Sequence, residues 1–288
     1  MIDRKLTGAP PATHMPIGAT DTQMHMYLPG FAYRADGVGA PQDPLPDPAM
    51  YRRAMDWLGI DRVVITQGNA HGLDNGNLLA CLRAMGACAR GVAVIDADST
   101  EAEILALSEG GVTGARIMDL PGGAVGLDQL EAVDAKAFDA DWMMAVQFDG
   151  SALSELEPRL AALKSRWVLD HHAKIFEGAT AAHVDVIKRL IDGGNVWFKF
   201  AGCYESSKTG GPAYEDIAQV AREIAAHAPE RIIWGTNWPH NMARKTEDYL
   251  DDGHLLDLAM SWLPDDAARH RTLVETPQSL FGFPPVIE

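Results

Sequence analysis

The stretch Ile17-Gly18-Ala19-Thr20-Asp21-Thr22-Gln23-Met24-His25 sets the reading of the whole chain. A strand has a side-chain period of two, so an extended segment here turns Asp21, Gln23 and His25 to one face and Thr22 and Met24 to the other. Three polar side chains on one face ask for a site. Glycine and proline punctuate residues 29–48, so the strand is expected to run into a long loop. Its counterpart lies near the other end of the chain, in Arg231-Ile232-Ile233-Trp234-Gly235-Thr236-Asn237-Trp238-Pro239-His240-Asn241, an apolar strand that stops at polar and aromatic residues.

Between these two stretches the pattern alternates. Short runs rich in Val, Ile and aromatic residues occur at 62–67, 91–96, 115–119, 142–148, 167–170, 196–200 and 231–236, which with the first strand makes eight. Segments of helical period lie between them at 47–58, 75–88, 100–108, 127–138, 152–163, 180–191 and 214–228, and two more follow at 248–262 and 265–274. Thr100 and Thr180 stand where N-caps are wanted, and Gly59, Gly110 and Gly193 follow helix ends. Strands that are apolar on both faces must be covered on both, so the expected fold class is α/β, a single (β/α)8 TIM-like barrel over residues 19–288, preceded by an irregular arm at 1–18. An open doubly wound sheet is the other solution. The nucleotide-binding form of that sheet has no fingerprint here, since neither GxGxxG nor GxxxxGK[ST] is present.

Of the 288 residues 47% are apolar, enough for one large core, and the net charge is -16. That charge and the lack of a basic run exclude a nucleic-acid surface, and an anionic ligand would need local Arg or Lys to offset the field. Cys81, Cys88 and Cys203 are odd in number and lack metal-ligand spacing, so reduced structural thiols are expected, with Cys81 and Cys88 on one helix. There is no apolar stretch approaching about 18 residues and no signal-peptide pattern, which leads to the expectation of a soluble cytoplasmic protein with no membrane partner.

In such a barrel the chemistry clusters where strands end and loops begin. Those ends supply His25, Gln67, Asn69, His71, Asp96, Arg116, Asp119, Gln147, Asp170, His171, His172, Lys199, Tyr204, Glu205, Asn237 and His240. The first-strand stretch, VVITQGNAHGLDN, the pair Asp170-His171, VWFKF and IIWGTNWPH together resemble the amidohydrolase superfamily. More narrowly they are similar to its lactone-processing branch, that of the 2-pyrone-4,6-dicarboxylate lactonases. The resemblance covers about residues 17–283.

Two positions depart from the metal-binding members of that superfamily, which carry His-x-His on the first strand and Asp at the end of the last. Here they read Gln23-Met24-His25 and Asn237. Zinc takes about three protein ligands from His, Asp, Glu or Cys, and a neutral amide is a poor substitute. His25 and His171 alone make an incomplete set, so no metal and no other cofactor is expected. His172 alternates away from His171, and His240 sits a loop further on.

The resemblance implies a small-molecule sugar-acid lactone as partner and an isomerase reaction. In it, a hydroxyl of the substrate attacks the lactone carbonyl and turns a 1,5-lactone of a sugar diacid into the 1,4-lactone. His171 is the first choice for moving the proton, because histidine titrates near neutrality and Asp170 can set its tautomer; His25 is the second. Asn237 cannot act as a base, but it can orient a hydroxyl or donate to an oxyanion. Arg116 suits a carboxylate, with Lys174 as a second cation. Gln23, Asn69, His71, Gln147, Asp170 and Trp238 complete the expected substrate-binding set. Alternation in VWFKF points Lys199 into the barrel, where Asp170 or Glu205 would have to pair with it.

Two other readings remain open at this level: a lactonase, in which water replaces the internal hydroxyl, and a barrel that binds sugar acids without catalysis. From Gln23 and Asn237 we expect activity to survive a chelator and elemental analysis to find no stoichiometric zinc or manganese. Loss of activity on chelation and its return on adding metal would refute this.

Overall fold

The computed structural model describes residues 1–4, 6, 10–36 and 38–286. Eight strands, β1 (Thr20–Met24), β2 (Arg62–Thr66), β3 (Ala89–Ala93), β4 (Val112–Asp119), β5 (Met143–Phe148), β6 (Trp167–Leu169), β7 (Val196–Phe200) and β8 (Ile232–Trp234), pair in chain order, every pair parallel. The ring closes just past β8. Met24 bridges Trp238 in parallel, His25 N–H donates to Trp238 O at 2.8 Å, and Asn237 N–H donates to Gln23 O at 2.8 Å. Closure depends on a missing side chain, because a Cβ on Gly235 would stand 2.5 Å from Gln23 Cβ and 2.6 Å from its backbone nitrogen. The architecture is the single (β/α)8 barrel that the alternating pattern implied.

The helices are α1 (Pro48–Leu58), α2 (Gly76–Met85), α3 (Glu101–Glu109), α4 (Leu130–Asp139), α5 (Leu153–Ala161), α6 (Ala181–Asp192), α7 (Glu215–His227), α8 (Asp252–Ser261), α9 (Asp266–His270) and α10 (Thr276–Phe281). Thr100 caps α3 in a reciprocal box: its hydroxyl accepts from Glu103 N–H at 3.3 Å while the Glu103 carboxylate accepts from Thr100 N–H at 2.7 Å. Gly59 ends α1 in the left-handed region at φ 81°. Three boundaries differ from expectation. Asp251 caps α8, so that helix starts later than residue 248. The helix expected at 265–274 is instead the short α9, one π-helical turn over Arg271–Glu275, and α10, which carries Pro277 in its first turn. Cys88 falls in a separate 3-10 turn after α2. No helix among the described residues is long and apolar enough to cross a membrane.

The barrel interior is layered. Val64, Val92, Met143, Ala145, Val168 and Ile233 pack together inside, with Leu280, Phe281 and Phe283 of the C-terminal segment against them. Two residues further along several strands the same inward face becomes polar, giving Thr66, Gln147, Asp170 and, on neighbouring strands, Gln23, Arg116 and Lys199. The other faces pack against the helices in one large apolar cluster.

Asp21 does not join Gln23 and His25. The β1 register shifts between Asp21 and Met24, and the Asp21 carboxylate accepts from Tyr51 Oη and Thr236 Oγ1, each at 2.6 Å, and from Thr236 and Gln23 N–H at 3.0 and 2.9 Å. It ties β1 to α1 and to the end of β8.

His172 also leaves the site. Its ring stacks on Phe200 at 5.2 Å and meets Phe198 and Trp262 edge-on. Burial, together with the neighbouring His171, pushes its pKa down to about 3. In the unfolded chain a histidine titrates near 6.5, so below that pH only the unfolded state gains the proton, and stability is lost as pH falls from about 6.5 towards 3. Unfolding free energies in urea should therefore show that His172→Phe recovers about 2 kcal/mol of the stability lost between pH 7 and pH 5. An equal loss in both proteins would refute the assignment.

Candidate active site

A cavity of about 730 Å³ opens above the polar layer, at the end of the barrel where the strands terminate. Its wall includes His25, Tyr27, Asn69, Arg116, Gln147, His171, Lys174, Phe176, Glu205, Asn237 and Asn241. Beneath it, buried Lys199 places Nζ 2.8 Å from Asp170 Oδ1 and 2.9 Å from Gln23 Oε1, and Thr66 donates to the same Gln23 oxygen at 3.2 Å. Burial works to raise the Asp170 pKa, but Lys199 and His171 hold it well below the ordinary carboxylate range. Asp170 is thus an anion committed to the protein.

His171 stands on this anion. Its Nδ1 lies 3.1 Å from Asp170 Oδ1 and its Nε2 lies 3.1 Å from Asn237 Oδ1. The chain pays for that placement in backbone strain, since His171, His172, Ala173 and Lys174 all have positive φ, between 45° and 63°. Left-handed conformation costs about 1–2 kcal/mol for a residue with a Cβ. Such strain persists where the surroundings over-determine it, commonly at functional sites. Gly202 completes the convergence: a Cβ there would lie 2.9 Å from His171, 3.0 Å from Asn237 and 3.3 Å from Glu205.

The Asn237 amide is oriented unambiguously. Its Nδ2 donates to Glu205 Oε1 and to Tyr204 Oη, each at 2.8 Å, and a carboxylate can only accept. Oδ1 therefore faces His171, so His171 Nε2 carries a hydrogen and acts as a donor. Glu205 also pairs with Lys174, and burial, which would raise its pKa, is outweighed by Lys174 and His171.

His25 is the complement. Its Nδ1 donates to Thr66 O at 2.9 Å, which leaves Nε2 as a bare acceptor on a ring that lines the cavity. Burial, with the positive charge of Arg116 nearby, pushes its pKa down to about 3, so the ring is neutral at pH 7. Arg116 is buried and donates to Gln67 O at 3.1 Å, Asn69 Oδ1 at 3.3 Å, Gln147 Oε1 at 2.8 Å and the weak acceptor Met118 Sδ at 3.2 Å. Among the described residues no carboxylate pairs with it, and its Nε has no partner.

The structure thus brings His25, Asn69, Arg116, Gln147, His171, Lys174 and Asn237 to the cavity, and keeps four expected binding residues away from it. Gln23 and Asp170 are consumed by Lys199 below. His71 turns back to donate to Ala32 O at 2.9 Å and packs on Tyr27 and Tyr33. Trp238 is buried against Tyr51. Glu205 was legible only as one polar residue among many at strand ends, and Tyr27 and Asn241, which bond each other at 3.1 Å, carried no signal beyond their place in long loops.

These residues do not fit the divalent ion that the resemblance makes conceivable. Gln23 Oε1 already holds an ammonium, the Asn237 amide turns a donor and an acceptor to protein partners, and among the described residues no group of three His, Cys, Asp or Glu side chains could hold a metal.

Known proteins share the sequence and fold of this chain. The chain is 57% identical over 285 residues to D-galactarolactone isomerase of Agrobacterium fabrum, covering 98% of this chain and 97% of that protein. It is 31% identical to 4-sulfomuconolactone hydrolase of Rhizobium radiobacter, over 95% and 93% of the two chains. A ligand-free crystal structure of an Agrobacterium tumefaciens protein, 56% identical, superposes with a TM-score of 0.91 over 96% of this chain and 100% of that one. The sequence profile described as amidohydrolase matches residues 20–283, and the chain belongs to the amidohydrolase family.

Proposed function

We propose that this protein is a lactone isomerase that converts a 1,5-lactone of a sugar diacid, of the D-galactarolactone type, into the 1,4-lactone. The observation that carries the reading is Arg116, a buried guanidinium on the cavity wall whose protein partners are all neutral. A buried charge without a counter-charge is costly, and the free carboxylate of a lactone acid removes that cost on binding. The similarity to the isomerase over nearly the full length of both chains supports the same substrate class. We also propose that it works without metal, on the strength of the donor set, and in the cytoplasm, where its unpaired Cys81, Cys88 and Cys203 would stay reduced. Residues 1–18 are read as an arm and the remainder as one barrel domain.

In the reaction a substrate hydroxyl forms a bond to the lactone carbonyl carbon, the ring C–O bond breaks, and the hydroxyl proton ends on the former ring oxygen. Attacking and leaving oxygens sit on adjacent carbons of the same chain, so one base can serve both. His25 fits that task through its bare Nε2, and the nucleophile is already held near the carbonyl, which lessens the demand for a strong base. We read His171, with its Nε2 hydrogen on Asn237 Oδ1, as a donor in place of the proton-moving role the sequence put first; Lys174 on the cavity wall can stabilise the oxyanion. The hydrolase relative makes water the competing nucleophile. Proton NMR of the purified enzyme with aldaric 1,5-lactones separates the outcomes: a second lactone supports isomerisation, an open-chain diacid means hydrolysis, and an unchanged ligand that still binds means a non-catalytic barrel.

Arg116→Met should lower kcat/KM for the lactone acid by about 2–4 kcal/mol through loss of one charged partner in a desolvated pair. An unchanged kcat/KM would make Arg116 structural. For Asn237→Asp a second carboxylate would face Glu205, where the amide now donates at 2.8 Å. Isomerisation should fall about tenfold or more, because the added negative charge opposes the oxyanion. A variant as fast as the parent would remove Asn237 from the chemistry.

A further inference from the structure

Behind Asn237 a buried polar chain links the start of α8 and the β8–α8 connection to the turn after β7. Asp252 lies in the first turn of α8, and its Oδ1 accepts from His240 Nε2–H at 2.8 Å; His240 is 1% exposed and Asp252 6%. With its hydrogen on Nε2, His240 turns the Nδ1 lone pair to Tyr204 and accepts from its Oη–H at 2.8 Å. Burial and the Glu205 carboxylate push the Tyr204 phenol well above its usual pKa, so that hydrogen stays on oxygen. With its hydrogen directed to His240, the Tyr204 oxygen can only accept, and it takes Asn237 Nδ2–H at 2.8 Å. The other Nδ2 hydrogen goes to Glu205, and only Oδ1 remains for His171.

We propose that Asp252, His240 and Tyr204 form a positioning relay that, together with Glu205, fixes the Asn237 amide with Oδ1 towards His171, and so keeps a hydrogen on His171 Nε2. The three residues do not line the cavity, so they act through Asn237 and not on the substrate. The geometry gives each member one role. Asp252 sets the His240 tautomer, His240 takes the Tyr204 hydrogen, and Tyr204 presents an oxygen that tolerates only the NH2 side of the amide. If His240 carried its hydrogen on Nδ1, Tyr204 would turn its own hydrogen to Asn237 and favour the reversed amide, against the orientation that Glu205 holds. That amide would offer His171 a donor where Nε2 now needs an acceptor. For its kinetic arm the inference rests on the isomerase reading, but the tautomer itself does not.

Tyr204→Phe removes one oxygen and Asp252→Asn preserves shape, so the two variants test the relay from opposite ends. Histidine-15N NMR of the substrate-free enzyme should show a protonated His171 Nε2 in the parent, and a shift of that signal towards the unprotonated range in both variants. With lactone, kcat should drop about tenfold while KM stays within about twofold, as expected for loss of one orienting hydrogen bond. A merely structural role would lower the melting temperature and leave the nitrogen signal in place. The proposal is overturned if the His171 signal is the same in the parent and in whichever variants fold. If the parent isomerises no lactone, the functional reading fails, yet the nitrogen spectra still decide the relay.

Discussion

A lysine sealed inside the barrel governs this site. Lys199 points inward from β7, 1% exposed, and an ammonium there is tolerable only with a counter-charge and acceptors at hydrogen-bond distance. Asp170 and Gln23 meet that demand from the ends of β6 and β1, so three strands are held in register by one cation. The pair also fixes the chemistry above it. Asp170 Oδ1 balances Lys199 beneath the cavity, and its position determines where His171 can stand. Two residues that the sequence placed among the binding groups thereby become the floor of the site.

The histidines then divide by hydrogen-bond partner. His25 gives its Nδ1 hydrogen to a backbone carbonyl and turns an acceptor to the cavity; His171 has an oxygen at each ring nitrogen and turns hydrogen towards Asn237. One residue type thus supplies a proton acceptor and a proton donor, separated by environment alone. Four consecutive left-handed residues hold His171 and Lys174 in place, a strain the fold sustains because Asp170 and Glu205 bind both side chains.

An amide at position 237 suits this arrangement better than a carboxylate would. Its two ends differ, so it can donate to Glu205 and accept from His171 together; a carboxylate could only accept and would repel Glu205. The same asymmetry makes its orientation matter, which gives buried polar neighbours such as Tyr204 something to control.

The sequence by itself determined the architecture. Eight apolar runs alternating with helical segments demand cover on both faces, and that demand is local, written in periodicity and in residues such as Thr100 and Gly59. It also marked the strand ends, including His25, His171 and Asn237, because a polar residue closing an apolar strand is visible without a fold, and it marked Arg116 as a cation within the fourth strand. Local pattern failed where local geometry broke, as in the register shift that separates Asp21 from Gln23 and in the π turn that splits the last expected helix. Only the tertiary structure decided which polar residues reach the cavity. That Asp170 belongs to Lys199, that no carboxylate among the described residues answers Arg116, and that His171 donates while His25 accepts depend on distances between strands far apart in the chain and on backbone angles that the surrounding contacts impose.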